Sequence, residues 1–369
     1  MLADMGANVI KIESPSGDFF RAIDDSVQGA SSYYLALNRN KRSIRLNLKD
    51  PAGKEILFSL ARNADVCIEN FTPGVVERLG IDYPAMRKVA EAMIYCHISG
   101  YGQTGPYKDR PAFDQIMQGE AGLLSMSGSD DSPARVPIPI TDILAGKDAA
   151  FAIVSALHHR ERTGEGQELD VSLFASSVAS LYQFLYRYWY KDDMPRRWAT
   201  RHPFMVPYGV YKTKDGVVNI AALGDKQWCG LCEAIGRPEI SHHAHYATME
   251  NRVAHREELE QILQASMAER TTAEWVETLI NHGVPCGNVN DLSDVLAHPQ
   301  MAHHGFVQEV YDVNRNVDLK LLDFPVKMSK TPAEIRNTPP ILGEHTSEIL
   351  AEIGYTSSDI ASLRDKGVI

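Results

Sequence analysis

Residues 43–69, SIRLNLKDPAGKEILFSLARNADVCIE, decide the fold class of this chain. Residues 43–48 alternate polar and apolar side chains, which predicts a strand, and residues 51–62 begin with proline and have the apolar spacing of a helix. Residues 66–69 predict a second, buried strand. A strand, a helix and a strand in this order indicate a parallel unit, because parallel strands need a crossover connection.

The same alternation continues on both sides of this unit. Strands are predicted over 8–13 and 93–99, with a helix over 73–79, so a twisted parallel sheet of the α/β class is expected. Residues 2–6 are typical of a helix end. Since such a sheet usually begins with a strand, we expect a front strand to be missing before them.

Two long helices follow the sheet, over 142–159 and 172–190, and a proline-containing connector covers 195–207. Beyond it we predict a hairpin over 209–223 that turns at 214–216, and helices over 227–235, 253–269 and 272–282. The predicted division is a large domain (1–195), a linker (196–212), a small domain (213–304) and a C-terminal segment (305–369) that returns to the large domain.

Composition excludes several classes of protein. The 369 residues are 44% hydrophobic and 23% charged, which is typical of a globular protein, and no apolar run reaches membrane-spanning length. A net charge of −11 argues against nucleic-acid binding, which depends on Lys and Arg. Five scattered cysteines without a signal peptide predict a reducing cytoplasm. The nearby histidines at 242, 243 and 245 lack partners at ligand spacing, so no metal site is expected.

A basic segment at residues 38–49 stands out in this acidic chain. It has five cations and no acid, and such a set suits either phosphate binding or a solvated strand edge. The five are Arg39, Lys41, Arg42, Arg45 and Lys49.

Two further motifs are weaker. Residues 100–105, GYGQTG, match a dinucleotide-binding pattern, but the residues after Gly105 predict a loop rather than the helix that pyrophosphate needs. Residues 228–232, WCGLC, resemble a redox box, yet their apolar spacing is that of an ordinary buried helix.

Asp142 lies in PIPITDIL (137–144), at the N-terminal end of the first long predicted helix. Its simplest interpretation is helix N-cap. The positive end of the helix dipole also stabilises an anionic carboxylate, which is the form that attacks an acyl group. No serine or cysteine nucleophile motif competes with it.

Six ordered segments together resemble the class III CoA-transferases, a family that includes formyl-CoA transferase. The resemblance covers nearly the whole chain. It implies a Rossmann-like large domain, a smaller α+β domain, an interlocked homodimer, and CoA thioesters as substrates without a tightly bound cofactor. The segments are LADMGANVIKIE (2–13), LNRNKRSIRLNLKDPAGK (37–54), DVCIENFTPGVVERLG (65–80), HISGYGQTGPY (97–107), ITDILAG (140–146) and LGEHTSEILAEIGY (342–355).

The resemblance assigns the catalytic carboxylate to Asp142, which would carry the acyl group as an anhydride and then CoA as a thioester. Arg39 and Arg42 are expected as phosphate neighbours, with Lys41. The residues that it assigns to CoA contact are Leu46, Asn47, Leu48, Lys49, Asn70, Phe71, Thr72 and Arg78.

Specific features refine this assignment. Racemases of 2-methylacyl-CoA share the fold but have a histidine where this chain has Phe113, which favours acyl transfer over proton exchange. Ser14 stands where relatives often have an arginine that meets CoA. Residues 191–216 look most like enzymes that act on dicarboxylates such as succinate and hydroxymethylglutarate, with Arg197 or Arg201 for the distal carboxylate. A non-catalytic CoA-binding protein is the remaining alternative.

The resemblance leaves the oxyanion site open. Backbone amides near Gly224 or Gly128 are the candidates for stabilising the tetrahedral intermediates.

Overall fold

The computed structural model describes residues 1–27 and 30–369. Its strands are β1 (Val9–Glu13), β2 (Lys41–Arg45), β3 (Val66–Glu69), β4 (Ile94–Ser99), β5 (Gly128–Ser129), β6 (Ser132–Pro133), β7 (Glu168–Ser172), β8 (Tyr208–Lys212), β9 (Val217–Ala221), β10 (Cys286–Asn288), β11 (Val307–Asp312) and β12 (Val317–Leu322).

Its α-helices are α1 (Ser32–Leu37), α2 (Pro51–Ala61), α3 (Val75–Leu79), α4 (Tyr83–Arg87), α5 (Asp114–Glu120), α6 (Leu123–Met126), α7 (Ile140–Thr163), α8 (Leu173–Ser180), α9 (Tyr182–Lys191), α10 (Asp225–Ala234), α11 (Met249–Ala254), α12 (Arg256–Met267), α13 (Thr272–Asn281), α14 (Leu292–Ala297), α15 (Pro299–His304), α16 (Thr346–Glu352) and α17 (Ser357–Asp365). Two 3₁₀ helices cover Phe19–Ala22 and Pro238–His242. Across the described ranges, none of the helices combines the length and the hydropathy needed to cross a bilayer.

The described chain forms two compact units. The first comprises Met1–Ala121, Ile138–Ser180 and His298–Ile369, and the second comprises Gly122–Pro137 and Leu181–Ala297. The units place α9 and the β5–β6 hairpin with residues 181–297. The division into a large domain, a linker, a small domain and a C-terminal segment stays a prediction.

The first unit contains the predicted parallel strands, but in two ladders rather than one. β1 pairs with β2, and β4 lies between β3 and β7, with all of these pairings parallel. Within the described residues no strand pairing joins the two ladders. Local patterning identifies strands correctly, whereas the choice of neighbour depends on long-range contacts that the pattern does not contain.

A shared core lies around these strands. Ile44 and Leu46 from the β2 segment pack with α2 and with α16 and α17 from the C-terminal segment. Helices α16 and α17 therefore contribute to the core of the first unit. A separate cluster joins α7 to β4 and β7 through Ala145, Ala149 and Ile153. Burial of these apolar faces stabilises the helix that presents Asp142.

A buried ion pair connects β1 to the segment after it. Glu13 is 3% exposed, and its carboxylate accepts hydrogen bonds from Nε (2.7 Å) and Nη2 (2.6 Å) of Arg21. The Ser43 hydroxyl on β2 donates to the same carboxylate at 2.6 Å. Because both charges are desolvated, each depends on the other for its stability.

The second unit contains an antiparallel sheet in the order β10–β9–β8. The predicted hairpin is confirmed as β8 and β9, and its core includes Trp228, Leu231 and Cys232 from α10. Since the WCGLC segment lies in a helix with Cys232 buried and Cys229 partly buried, the helix interpretation of this motif is confirmed.

Two predicted helices are interrupted. The helix expected over 172–190 is divided into α8 and α9, and the one expected over 253–269 is divided near His255 into α11 and α12. Before the first break, the Ser177 and Ser180 hydroxyls donate to backbone carbonyls of Leu173 and Ser177. Such side-chain hydrogen bonds compete with the backbone hydrogen bonds of the helix. The apolar spacing of the sequence does not reveal this competition.

Candidate active site

Asp142 lies in the first turn of α7 but is not its N-cap. The helix begins at Ile140, with Pro139 as the capping residue, so the N-cap interpretation was wrong. The capping role belongs to Asp114 of α5, whose Oδ1 accepts from the Thr141 backbone N–H at 3.1 Å and from its hydroxyl at 3.0 Å. Within the described residues, no hydrogen bond holds the Asp142 carboxylate. Its oxygens are therefore available to a ligand.

The electrostatic setting of Asp142 makes this carboxylate more basic than usual. Desolvation by surrounding protein raises its pKa above the ordinary value of 3.8, and the negative charge of Asp114 raises the pKa further. The N-terminal end of α7 acts in the opposite sense, since its dipole favours an anion. A more basic carboxylate is a stronger nucleophile once it is ionised.

The first predicted CoA segment follows the carboxyl end of β2. Leu46 is buried in the core, whereas Asn47 and Leu48 are partly exposed and Lys49 is exposed. The Asn47 side chain accepts from the Lys49 backbone N–H at 3.1 Å. The turn is closely packed on α2, because a Cβ added to Gly53 would lie 2.1 Å from the Asn47 carbonyl oxygen.

Replacing Gly53 with alanine is expected to destabilise the protein by about 1–3 kcal/mol, the usual cost of overpacking. The new methyl group would force apart α2 and the backbone of Asn47. Chemical denaturation measures the change. Gly287→Ala is the control, because its Cβ would meet nothing within 4 Å and its φ is not positive. Equal stability of the two variants would contradict the role of this close approach.

The second predicted CoA segment, residues 70–72, follows the carboxyl end of β3. Asn70, Phe71 and Thr72 are exposed, and so is Arg78 on α3. The Asn70 amide donates to the Ile98 carbonyl at 2.6 Å. Both CoA segments thus follow the carboxyl ends of parallel strands, where α/β sheets commonly bind ligands.

The basic segment is largely paired within the protein. Arg39 donates to Asp4 at 3.0 Å, and Arg42 contacts Glu348 (2.8 Å) and Glu352 (2.5 Å). Lys41 donates to Asn38, while burial and the nearby Lys11 lower the pKa of Lys41 to about 8. These cations already have partners, so their assignment as phosphate neighbours stays a prediction that requires exchange of those partners.

Residues predicted for the acceptor and the oxyanion lie in the second unit. Arg197 donates to the carbonyls of Ser129 (2.6 Å) and Asp130 (2.7 Å), whereas Arg201 pairs with Glu260 at 3.0 Å. Among residues 1–27 and 30–369 no carboxylate pairs with Arg197, which favours it over Arg201 as the carboxylate ligand.

The two candidate oxyanion amides differ. The Gly224 N–H already donates to the Gln227 side chain at 2.8 Å, which disfavours it as an oxyanion donor. Gly128 has a φ of 108° in the β5–β6 hairpin, and a Cβ there would lie 2.2 Å from the Ser132 carbonyl oxygen. The prediction for Gly128 is untested.

The remaining motifs do not form sites. Residues 101–111 are turns and bends, so no helix opens after Gly105 and the dinucleotide interpretation is excluded. In the part of the chain that the structure describes, no group of three or more His, Cys, Asp or Glu side chains is arranged to hold a metal ion.

Sequence reasoning missed two polar features beside these segments. Asp114 is separated from Asp142 by 28 residues, and only the fold places its cap beside α7. The three strands β3, β4 and β7 place Glu69, His97 and Glu168 in one network. Polar residues inside otherwise apolar strands were the available signal for that network.

Comparison with known proteins identifies the family. The model of CoA-transferase family III matches residues 1–346. The chain belongs to this family. It is 38% identical to succinyl-CoA:glutarate CoA-transferase of Mus musculus, an alignment that covers 100% of this chain and 85% of that protein. It is 36% identical to succinate–glutarate CoA-transferase of Agrobacterium fabrum, with 96% of this chain and 90% of that protein covered.

Solved structures of the family agree with the fold. A CAIB/BAIF family protein from Brucella suis superposes with a TM-score of 0.83 at 34% identity, over 95% of this chain and 93% of that one. The predictions of a class III CoA-transferase and of an α/β fold with parallel sheets are therefore confirmed. As a member of CoA-transferase family III, the protein is an enzyme that moves CoA from an acyl-CoA to a carboxylic acid.

Proposed function

We propose that this CoA-transferase exchanges CoA between dicarboxylic acids through an aspartyl-CoA thioester on Asp142. The observation that carries the proposal is the division of roles between two carboxylates. Asp114 caps α7, and among the described residues no hydrogen bond occupies the Asp142 carboxylate at the positive end of the same helix. A carboxylate without protein hydrogen bonds is suited to attack a thioester.

The proposed reaction runs in four steps. An Asp142 oxygen attacks the donor carbonyl, the C–S bond breaks, and a mixed anhydride and CoA thiolate form. The thiolate attacks the Asp142 carbonyl carbon, forms the aspartyl-CoA thioester and releases the donor acid. The acceptor carboxylate then attacks this thioester, giving a second anhydride and thiolate. Finally the thiolate attacks the acceptor carbonyl, so that the new acyl-CoA leaves and the Asp142 carboxylate is restored.

Dicarboxylate substrates are proposed from relatives and from charge. Relatives carry names that specify succinyl-CoA with glutarate or mesaconate, and acetyl-CoA with oxalate. Arg197 donates to backbone carbonyls and to no carboxylate within the described part of the chain, which supports recognition of a second substrate carboxylate. The racemase alternative has no support, because Phe113 supplies no proton-transfer group.

We also propose that the enzyme acts as an interlocked homodimer in the cytoplasm. Helix α9 exposes Tyr186, Trp189 and Tyr190, the last with 77% of its surface. Clustered exposed aromatic side chains are typical of interfaces. All five cysteines are free, which supports a reducing compartment.

A transfer assay tests the proposed activity. The enzyme is incubated with succinyl-CoA and glutarate, oxalate or acetate, and acyl-CoA products are identified by mass spectrometry. Glutarate or oxalate should yield the corresponding acyl-CoA faster than acetate does. Transfer to acetate alone would contradict the dicarboxylate assignment. Absence of transfer, together with deuterium uptake at the 2-position of a branched acyl-CoA, would instead favour the racemase.

The pH profile should report the interaction of Asp142 with Asp114. Only ionised Asp142 attacks, so kcat/KM rises with pH through the raised pKa of Asp142. Asp114→Asn removes the negative charge but keeps an oxygen that accepts from Thr141. The acid limb should therefore move to lower pH in this variant. An unchanged limb would show that Asp114 does not tune Asp142.

A further inference from the structure

Three parallel strands of the first unit converge on one buried imidazole. His97 lies in the middle strand β4 and is 3% exposed. Its Nδ1 bonds Oε1 of Glu69 on β3, and its Nε2 lies 2.9 Å from Oε1 of Glu168 on β7. Glu69 is the register partner of His97, so both side chains project from the same face of the sheet.

This geometry favours a protonated ring. A neutral imidazole has one N–H and donates through one nitrogen, whereas two carboxylates can only accept when they are ionised. Burial alone would lower the pKa of His97, but the hydrogen bonds and charges of Glu69 and Glu168 outweigh burial and raise it. The imidazolium therefore holds two like-charged carboxylates in place.

The network extends to residues 70–72. The second oxygen of Glu69, Oε2, accepts from the Phe71 backbone N–H at 2.7 Å. The adjacent Asn70 is tied to the Ile98 carbonyl, next to His97 in the chain. One carboxylate thus connects the imidazolium to the backbone of an exposed loop. If Glu69 lost its partner, it would be free to rotate and release Phe71.

We propose that His97 is a positioning residue, which bridges Glu69 and Glu168 and thereby fixes residues 70–72 for binding the CoA moiety. This role rests on the proposed CoA contacts of those residues. His97 itself touches no reacting atom. Its contribution is to restrict the loop before the ligand arrives, which improves affinity by lowering the ordering cost of binding.

Two substitutions of His97 test its hydrogen bonds to Glu69 and to Glu168 separately. The amide nitrogen of asparagine lies two bonds from Cβ, the same number as Nδ1 of histidine. The amide nitrogen of glutamine lies three bonds from Cβ, the same number as Nε2 of histidine. His97→Asn therefore keeps a donor for Glu69, and His97→Gln keeps one for Glu168. The affinity for CoA, measured by calorimetry at neutral pH, should fall by about 10-fold in His97→Gln, the effect of one lost hydrogen bond to a charged group. It should fall by no more than about 3-fold in His97→Asn, because the bond to Glu69 remains.

Kinetics provide a second readout. His97→Gln should raise KM for succinyl-CoA while kcat stays within about 3-fold, since the loosened loop at residues 70–72 is proposed to bind the CoA moiety and not the reacting atoms. Equal CoA affinities in the two variants, or a loss confined to kcat, would overturn the positioning role. If the wild type neither binds CoA nor transfers it, the proposed function fails and the positioning role fails with it.

The pH dependence of the wild type gives a test that does not depend on the folding of His97→Gln. Below the raised pKa of His97 both hydrogen bonds of the bridge are complete. As pH rises through that pKa the ring keeps a single N–H, so one of the two hydrogen bonds is lost and the wild type comes to resemble His97→Asn. CoA affinity should decline more steeply with pH in the wild type than in His97→Asn, which does not titrate there. Identical pH dependence in both proteins would overturn the proposal. The titratable groups facing or adjoining His97 on β3, β4 and β7 are Cys67, Glu69, Tyr95, Cys96, Glu168 and Asp170.

Discussion

Replacing Asp142 with asparagine is expected to lower CoA transfer by on the order of 10⁶-fold, the scale seen when a covalent nucleophile is removed. The amide is similar in size but is a poor nucleophile, so neither the anhydride nor the aspartyl thioester forms. CoA affinity should change by less than about 3-fold, because Asp142 is not among the proposed CoA contacts. Succinyl-CoA turnover and calorimetric CoA titration measure the two quantities separately.

A matched control lies on the same helix. Asp148 is an exposed acid of α7, six residues after Asp142. Asp148→Asn removes the same charge from α7 and should leave transfer within about 2-fold of the wild type, as surface substitutions usually do. Comparable losses in both variants would show that the charge of the helix, rather than a nucleophile at Asp142, governs activity.

Replacing Arg21 with methionine is expected to lower the free energy of unfolding by about 3–5 kcal/mol, the usual effect of removing one partner of a buried ion pair. Glu13 would remain buried without its guanidinium partner, keeping the hydrogen bonds from the Ser43 hydroxyl and the Asp18 backbone N–H and the weaker charge interaction with Lys11. The control is Arg42→Met, because Arg42 pairs with Glu348 and Glu352, which are both half-exposed. Its loss should be no more than about 1 kcal/mol, the value of a surface pair.

The contribution of Glu13 to the stability of the wild type depends on pH in a definite direction. In the wild type, burial raises the pKa of Glu13, but hydrogen bonds from Arg21 and Ser43 and the charge of Arg21 outweigh it and lower the pKa below 4.5. Glu13 therefore stabilises the fold above pH 4.5, and this stability is lost as pH falls through its lowered pKa.

Without Arg21, the effect of pH on the stability contributed by Glu13 is expected to reverse. Burial of Glu13 without the guanidinium of Arg21 should raise the pKa of this carboxyl, so the Arg21→Met variant should be least stable at alkaline pH and should recover as pH falls. Urea denaturation at pH 5 and pH 8 measures this difference. A double variant with Glu13→Gln should regain much of the lost stability. Equal losses for Arg21→Met and Arg42→Met would contradict the importance of the buried pair.

Local sequence was sufficient to predict the elements that carry the site. The helical spacing after Asp142 and the strands before Leu46 and Asn70 are properties of short segments, and the structure contains all three elements. Prediction was less accurate where the role of a residue depends on another residue that is distant in the sequence. Asp142 was interpreted as a cap because the sequence does not show that Asp114, 28 residues earlier, satisfies Thr141.

The pairing of the basic segment was unpredictable for the same reason, because its partners are distant in the sequence. Arg42 meets Glu348 and Glu352 more than 300 residues away, and Arg39 meets Asp4. Charge spacing alone makes these cations equivalent to Lys49, which is exposed, and only the fold separates paired cations from free ones. The imidazole between two carboxylates was likewise unpredictable, since its three members come from three strands.

Trapping of the covalent intermediate tests the central claim most directly. The enzyme is incubated with succinyl-CoA, treated with hydroxylamine, digested, and its peptides are analysed by mass spectrometry. The proposed aspartyl-CoA thioester would react to give a hydroxamate on the peptide that contains Asp142, and the Asp142→Asn variant would give none. Transfer of CoA by the wild type without modification of Asp142, or with modification of another carboxylate, would contradict the mechanism.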